Sequence, residues 1–201
     1  MAVQGNSQRH TGFHFSFLNR GETVETDLAA SATISARVLA VLRIVTGFVF
    51  LWAFLDKTFG FGYATPSGKS WLDGGSPTKG FLSSVAAGPM KSTFHSWAGA
   101  GWCDTLFMLA LLGVGLGLVL GIALRPTAVA GSLLMAFMWI AEWPPAKSLA
   151  DGTPTMSSNP VVDYHVAYAL IMIALAAVGA GATWGLGKLW AQLVQGNRWL
   201  I

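Results

Sequence analysis

The amino-acid sequence predicts an all-α integral membrane protein, a four-helix bundle with an ordered extracytoplasmic loop between its first and second spans. Two observations carry this expectation. Of the 201 residues, 53% are hydrophobic and only 10% are charged, whereas soluble domains hold about a quarter charged residues. Such a chain cannot cover its core with polar surface. Four stretches, about 36–55, 106–124, 127–143 and 161–181, approach the roughly 20 mostly apolar residues needed to cross a bilayer, and each is nearly free of charge in its middle. They are expected to be helices, because a lipid-exposed strand outside a closed barrel leaves its backbone groups unpaired.

The remaining composition narrows the function classes. The 12 Lys and Arg exceed the 9 Asp and Glu by little and are dispersed, so no basic arm or stripe points to nucleic acid. Cys103 is the single cysteine, which removes intramolecular disulfides, Cys-x-x-Cys exchange and thiolate metal cages. Residues 1–34 carry Arg9, Arg20, Glu22, Glu25 and Asp27 among Ser, Thr, Gln and Asn. With no apolar run or cleavage site they do not read as a signal peptide, and a flexible cytoplasmic tail is expected.

Residues 35–182 are expected to form the membrane domain. After the first span, residues 56–104 are too long and too rich in Gly, Pro and Trp for a passive turn. Apolar groupings at 78–87 and 90–98, with Pro77 and Pro89 near their starts, suggest two short helices forming an outer lid. The second span contains Gly113, Gly117 and Gly121 at four-residue spacing, a smooth stripe for close helix packing. Only Arg125 and Pro126 separate it from the third span, which implies a tight antiparallel hairpin. Residues 144–160 read as an irregular Pro, Ser and Thr-rich loop. In 183–201, Trp184, Trp190 and Trp199 beside Lys188 and Arg198 suit an interfacial helix. Arg9, Arg20, Arg37, Arg125, Lys188 and Arg198 share one side of this topology, while Lys57, Lys69, Lys79, Lys91 and Lys147 sit mostly in the long outer loop, which counts for little. Both termini are therefore expected to be cytoplasmic.

Ionisable groups near span depth are candidate sites, because a bilayer penalises them. Arg43 lies deepest and reads either as a structural group bonded to carbonyls, Thr46, Ser132 or headgroups, or as an anion contact. At the outer rim, antiparallel threading brings Asp56, Lys57, Asp104, Glu142, Asp163 and His165 to one level. Tyr168 and Met172 follow His165 on the same helical face, and Trp52, Phe54, Trp139 and Trp143 come from neighbouring spans. An aromatic pocket with polar groups at its mouth matches what a quinone ring and its proton exchange require. Glu142 and His165 would move protons, Asp163 would assist, Lys57 and Asp56 would meet substrate, and Trp139, Trp143, Tyr168, Phe54 and Arg43 would contact the ring. Asp104 and Asp163 also read as helix caps, and the tryptophans as an interfacial belt. Glu142 stands at a helix C-terminus, where negative charge is disfavoured, so it should pair with Lys57 or His165.

Haem is not expected, since His10 and His14 lie in the tail and His95 in the outer loop, leaving only His165 at span depth. No flavin fingerprint is visible. His165 with Asp163, Glu142 or Asp56 could bind a metal in principle, but no spacing matches a recognised motif, and none is assigned.

Three strings, LRIVTGFVFLWAFLDKTFGFGYATP from Leu42, WLDGGSPTKGFL from Trp71 and DYHVAYALIMIALAAVGAGATWGLGKLW from Asp163, resemble the DoxX/DoxD-like family of small bacterial membrane proteins, particularly its actinobacterial members. The likeness covers about residues 36–190. It implies a four-helix membrane bundle in the bacterial plasma membrane and a link to respiratory or sulfur redox chemistry, since DoxD-type members are subunits of thiosulfate:quinone oxidoreductase. The expected function is a membrane subunit that passes electrons from a small reduced sulfur donor such as thiosulfate to a membrane quinone, menaquinone being one candidate. Lys57, Lys69, Lys79 and Lys91 would attract the anion. The alternative is a non-catalytic subunit anchoring a larger redox complex. Partner subunits or a homo-oligomer are expected in either case; a transporter ranks last, because only Arg43 lies in the cytoplasmic half of the spans.

Overall fold

A computed structural model describes residues 12–155 and 157–201. The described residues form seven α-helices: α1 (Gly12–Phe59), α2 (Lys79–Ser83), α3 (Lys91–Trp97), α4 (Gly101–Leu120), α5 (Leu124–Glu142), α6 (Tyr164–Ala177) and α7 (Gly187–Leu193), with a 3₁₀ turn at Ala180–Ala182. Three helical segments, Leu28–Phe59 of α1, α4 and α5, are long and apolar enough to cross a membrane. Contacts divide the chain at Val38. Leu39–Ile201 is the unit that holds the packed core and all the residues of the candidate site.

Helix α1 begins well before the expected start at Ala36. Residues 12–34, read from the sequence as a flexible tail, are helical; no proline occurs between Gly12 and Phe59 to interrupt them. The first eleven residues of that expected tail lie outside the described residues. The helix ends where Gly60 turns left-handed at φ 70°, its N–H donating to the Asp56 carbonyl at 2.8 Å.

The core is built from one stripe of each long helix. Met108, Leu111, Val114 and Leu118 recur at three- and four-residue spacing along α4 and meet Phe50 of α1, Leu124, Ala128 and Met135 of α5, and Met172 and Leu175 of α6. Their opposite faces are apolar too: Val45, Phe48, Leu106, Leu109, Val129, Leu133, Leu170 and Ile173 are all exposed. Helices apolar on both faces fit a lipid surrounding rather than water.

The glycine stripe divides in the structure. A methyl group at Gly113 would meet nothing within 4 Å, whereas one at Gly115 would fall 2.7 Å from the Leu51 backbone nitrogen. On the facing helix, Gly47 has the same role against Leu118, also at 2.7 Å. The close approach of α1 and α4 therefore uses Gly47 and Gly115. Gly131 admits the Met172 sulfur and brings α5 against α6.

The α4–α5 hairpin turns earlier than Arg125–Pro126. Gly121 adopts φ 70°, and Ile122 N–H donates to the Gly117 carbonyl at 3.0 Å while Gly121 N–H donates to that of Leu118 at 3.1 Å. This is a Schellman stop. Arg125 and Pro126 lie in the first turn of α5, where a missing N–H is tolerated. The fourth expected span, 161–181, is also shorter: α6 ends at Ala177, just before Gly179 turns left-handed at φ 64°. Its 14 residues cover about 21 Å at 1.5 Å per residue. In the C-terminal segment 183–201, only Gly187–Leu193 is α-helical, and Arg125 N–H donates to the Ile201 carbonyl at 3.2 Å.

Between α1 and α4, the two short helices α2 and α3 occupy the regions anticipated near Pro77 and Pro89. Leu82, Val85 and Phe94 form a small core with Ala141 at the end of α5. Two acids attach this connection to the long helices. The Asp56 carboxylate accepts the N–H groups of Tyr63, Ala64 and Thr65 at 3.4, 3.0 and 2.8 Å. Asp104 accepts the Ser76 hydroxyl at 2.8 Å, the Thr78 hydroxyl at 2.6 Å and the Thr78 N–H at 3.0 Å.

Candidate functional site at the end of α5 and the start of α6

Helix α6 starts at Asp163 because its carboxylate caps the first turn: Oδ1 accepts the N–H of His165 at 2.9 Å and of Val166 at 3.2 Å. The same carboxylate's Oδ2 lies 2.9 Å from His165 Nδ1. One side chain thus both nucleates the helix and orients the imidazole. His165 is only 1% exposed. With Nδ1–H donated to Asp163, the tautomer this network selects leaves a lone pair on Nε2. That nitrogen has no hydrogen-bond partner and lies 4.0 Å from Glu142 Oε1.

Glu142 is the last residue of α5, and its side chain is 38% exposed. Its carboxylate cannot use helical N–H groups at this end, and the Tyr164 hydroxyl donates to Oε1 at 2.6 Å. The rings of Tyr164 and His165 also meet, tilted by 34° with their centroids 3.9 Å apart. The result is a line of groups, Asp163, His165, Glu142 and Tyr164, running from a buried imidazole to an exposed carboxylate. An imidazole oriented by one carboxylate and facing a second, exposed one has the parts that proton transfer uses.

The other rim residues divide among different tasks. Asp56 and Asp104 are engaged by the connection between α1 and α4, and Asp104 lies beyond the Ala100 cap of α4 rather than capping it. The ammonium of Lys57 lies over the Phe107 ring at 5.8 Å; among the described residues it makes no ion pair with Glu142, whose neighbour is His165. Trp139 and Trp143 meet edge-on at 5.7 Å, and Trp139 Nε1–H donates to the Val161 carbonyl at 3.0 Å, joining α5 to the segment preceding α6. Trp143 takes φ 44° as α5 ends, and its ring packs on Gly88. Trp52 packs with Phe61 and Tyr63 instead of with these two. Tyr168 and Phe54 join the main core, Tyr168 meeting Phe50 edge-on at 5.9 Å.

Arg43 is not at this rim. Thirteen residues along α1 separate it from Asp56, about 20 Å at 1.5 Å per residue. It is fully buried, and its guanidinium donates to carbonyls of Leu118, Val119, Thr183 and Trp184. Of the two readings the sequence left open for Arg43, the structure shows the bonding to carbonyls: the guanidinium clamps the end of α4 to the segment after the 3₁₀ turn.

Tyr164 was the residue that sequence reasoning missed. It directly precedes His165, but consecutive residues on a helix point in different directions, so only the approach of α5 reveals its bond to Glu142. The capping role is directly testable. Asp163→Ala is expected to lower stability by about 1 kcal/mol through the lost cap, with Asp163→Asn retaining most of it; thermal unfolding monitored by tryptophan fluorescence checks this. No family model matches the chain, and neither a curated protein nor a solved structure matches it.

Proposed function

We propose that the chain is a DoxX/DoxD-like membrane subunit of a quinone-linked oxidoreductase in the bacterial plasma membrane. The observation that carries this reading is the buried His165 imidazole, oriented by Asp163, with its free Nε2 facing the exposed Glu142 carboxylate at one end of apolar helices. Converting a quinone to its quinol takes up two electrons and two protons. His165 and Glu142 supply a path for protons, Tyr164 holds Glu142 in place, and Trp139 and Trp143 offer an aromatic wall. The electrons come from a small reduced sulfur donor such as thiosulfate, directly or through a partner subunit. In this reading α6 and its flanking residues form a fourth span beside the three longer ones, and both termini are cytoplasmic.

The test is binding of a short-chain menaquinone to the purified full chain in nanodiscs. Saturable binding by wild type, weakened at least tenfold in Glu142→Gln and in His165→Ala variants that retain their helical circular dichroism, is expected. An absence of binding by folded wild type would favour a non-catalytic subunit that stabilises a larger redox complex. One observation favours that second reading. Asp56 and Asp104, two of the six rim groups, are taken up in attaching the α1–α4 connection.

A further inference from the structure

We propose that His165 Nε2 and the Glu142 carboxylate form a binding site for a divalent transition-metal ion, with Asp163 positioning the imidazole. The first reason is an unmet valence. A buried nitrogen without a hydrogen-bond partner is costly, and His165 Nε2 is such an atom in a residue that is 1% exposed. It faces an oxygen of Glu142 4.0 Å away. The second reason is orientation. A metal-binding histidine characteristically donates its other ring N–H to a carboxylate, which fixes the tautomer and the ring plane. The 2.9 Å contact between Nδ1 and Asp163 Oδ2 provides that arrangement before any ion arrives.

Charge points the same way. Glu142 and Asp163 bring two carboxylates to one imidazole, and among the described residues no Lys or Arg lies within ion-pair distance of either. Glu142 also stands at the C-terminal end of α5, where the helix dipole disfavours a negative charge. A dication offsets both terms. The geometry needs only a small adjustment: metal bonds of about 2.0–2.2 Å place nitrogen and oxygen ligands roughly 3–3.5 Å apart, and the exposed Glu142 side chain can close that gap. Tyr164 steadies Glu142 through the same carboxylate oxygen, and water would fill the remaining coordination positions.

A mixed imidazole and carboxylate set favours zinc, cobalt, iron or manganese over magnesium and calcium, which prefer all-oxygen sites, and over copper(I), which prefers sulfur. Proton and metal compete for the same lone pair, so a bound ion would close the proposed proton route through His165. The metal inference stands independently of the quinone reading, because binding is measured without turnover.

The test uses the full chain in detergent after removal of metal with a chelator. Calorimetry with Zn²⁺ and visible absorption with Co²⁺ should show one saturable ion per chain in the micromolar range. Glu142→Gln, at an exposed position that leaves the core untouched, and His165→Asn should each weaken binding at least tenfold. Asp163→Asn should weaken it by about 10–100-fold, the loss typical of removing an orienting partner. Absence of a saturable site in folded wild type would overturn the inference, as would affinity retained in both Glu142→Gln and His165→Asn. If nitrogen NMR instead shows a His165 imidazolium that persists in excess Zn²⁺, the site holds a proton between two carboxylates and the inference fails.

Discussion

Arg43→Met is expected to produce the largest loss of stability of any single substitution in the chain. The side chain is fully buried, and its guanidinium joins three parts of the fold. It donates to the Leu118 and Val119 carbonyls in the last turn of α4 and to the Thr183 and Trp184 carbonyls after the 3₁₀ turn, while its own backbone belongs to α1. A cation at a helix C-terminus is favoured by the dipole, and the last carbonyls of a helix lack internal partners. Methionine matches much of the aliphatic volume but leaves several carbonyls unsatisfied. Each buried carbonyl left without its donor costs about 1–3 kcal/mol.

Lysine should rescue only partly, because one ammonium lacks the planar fork needed to reach both carbonyl pairs. Glycines shape the space around the guanidinium. A methyl group on Gly185 would fall 2.9 Å from Nη2, and one on Gly121 would fall 2.8 Å from Cζ. Gly185→Ala should therefore reproduce part of the Arg43→Met effect. Thermal unfolding in detergent, followed by tryptophan fluorescence, measures all three. A melting temperature unchanged in Arg43→Met would show that the clamp contributes nothing.

Gly115→Val is expected to have the second largest effect. A Cβ there would lie 2.7 Å from the Leu51 nitrogen and 2.9 Å from its Cα. The obstruction is backbone, so no side-chain rotation relieves it. Either α1 and α4 separate, or the helices distort. Overpacking of this kind costs about 1–3 kcal/mol and sometimes more. Gly113→Ala provides the contrast, since a methyl group there meets nothing within 4 Å. It should be neutral or slightly stabilising, because alanine is the better helix former. If Gly113→Ala were the more damaging of the two, the contact between α1 and α4 would have to use the other glycine register.

The difference between these glycines illustrates where sequence reasoning stops. Spacing of four residues identifies a face of α4, but the angle at which α1 crosses that helix selects which small residue is needed. Gly115 and Gly47 meet their partners across two helices far apart in sequence, and no local pattern contains that information. The ends of helices show the same division. Asp163 was readable as a cap from its position before an apolar run, and the structure places it there. By contrast, the turn at Gly121 depends on one left-handed residue, and Arg125–Pro126 looked like the stronger break.

The candidate site was legible in part for a related reason. Hydropathy alone brought Glu142, Asp163 and His165 to one level, because consecutive antiparallel helices must return to the same end. It brought Asp56, Lys57 and Asp104 there too, and could not distinguish acids that engage a connecting segment from acids gathered beside His165. Hydrogen bonds to Tyr63, Ala64, Thr65, Ser76 and Thr78 made that distinction.

Composition and apolar length by themselves determined an all-helical chain with helices fit to cross a bilayer, because the cost of exposing apolar side chains and unpaired backbone depends on residue type and run length. Only the tertiary structure decided that Arg43 is a clamp, that α6 is short, and that His165 Nε2 is left free opposite Glu142. Those outcomes depend on which groups meet across helices, and a hydrogen bond or a close contact exists only when both partners are in place.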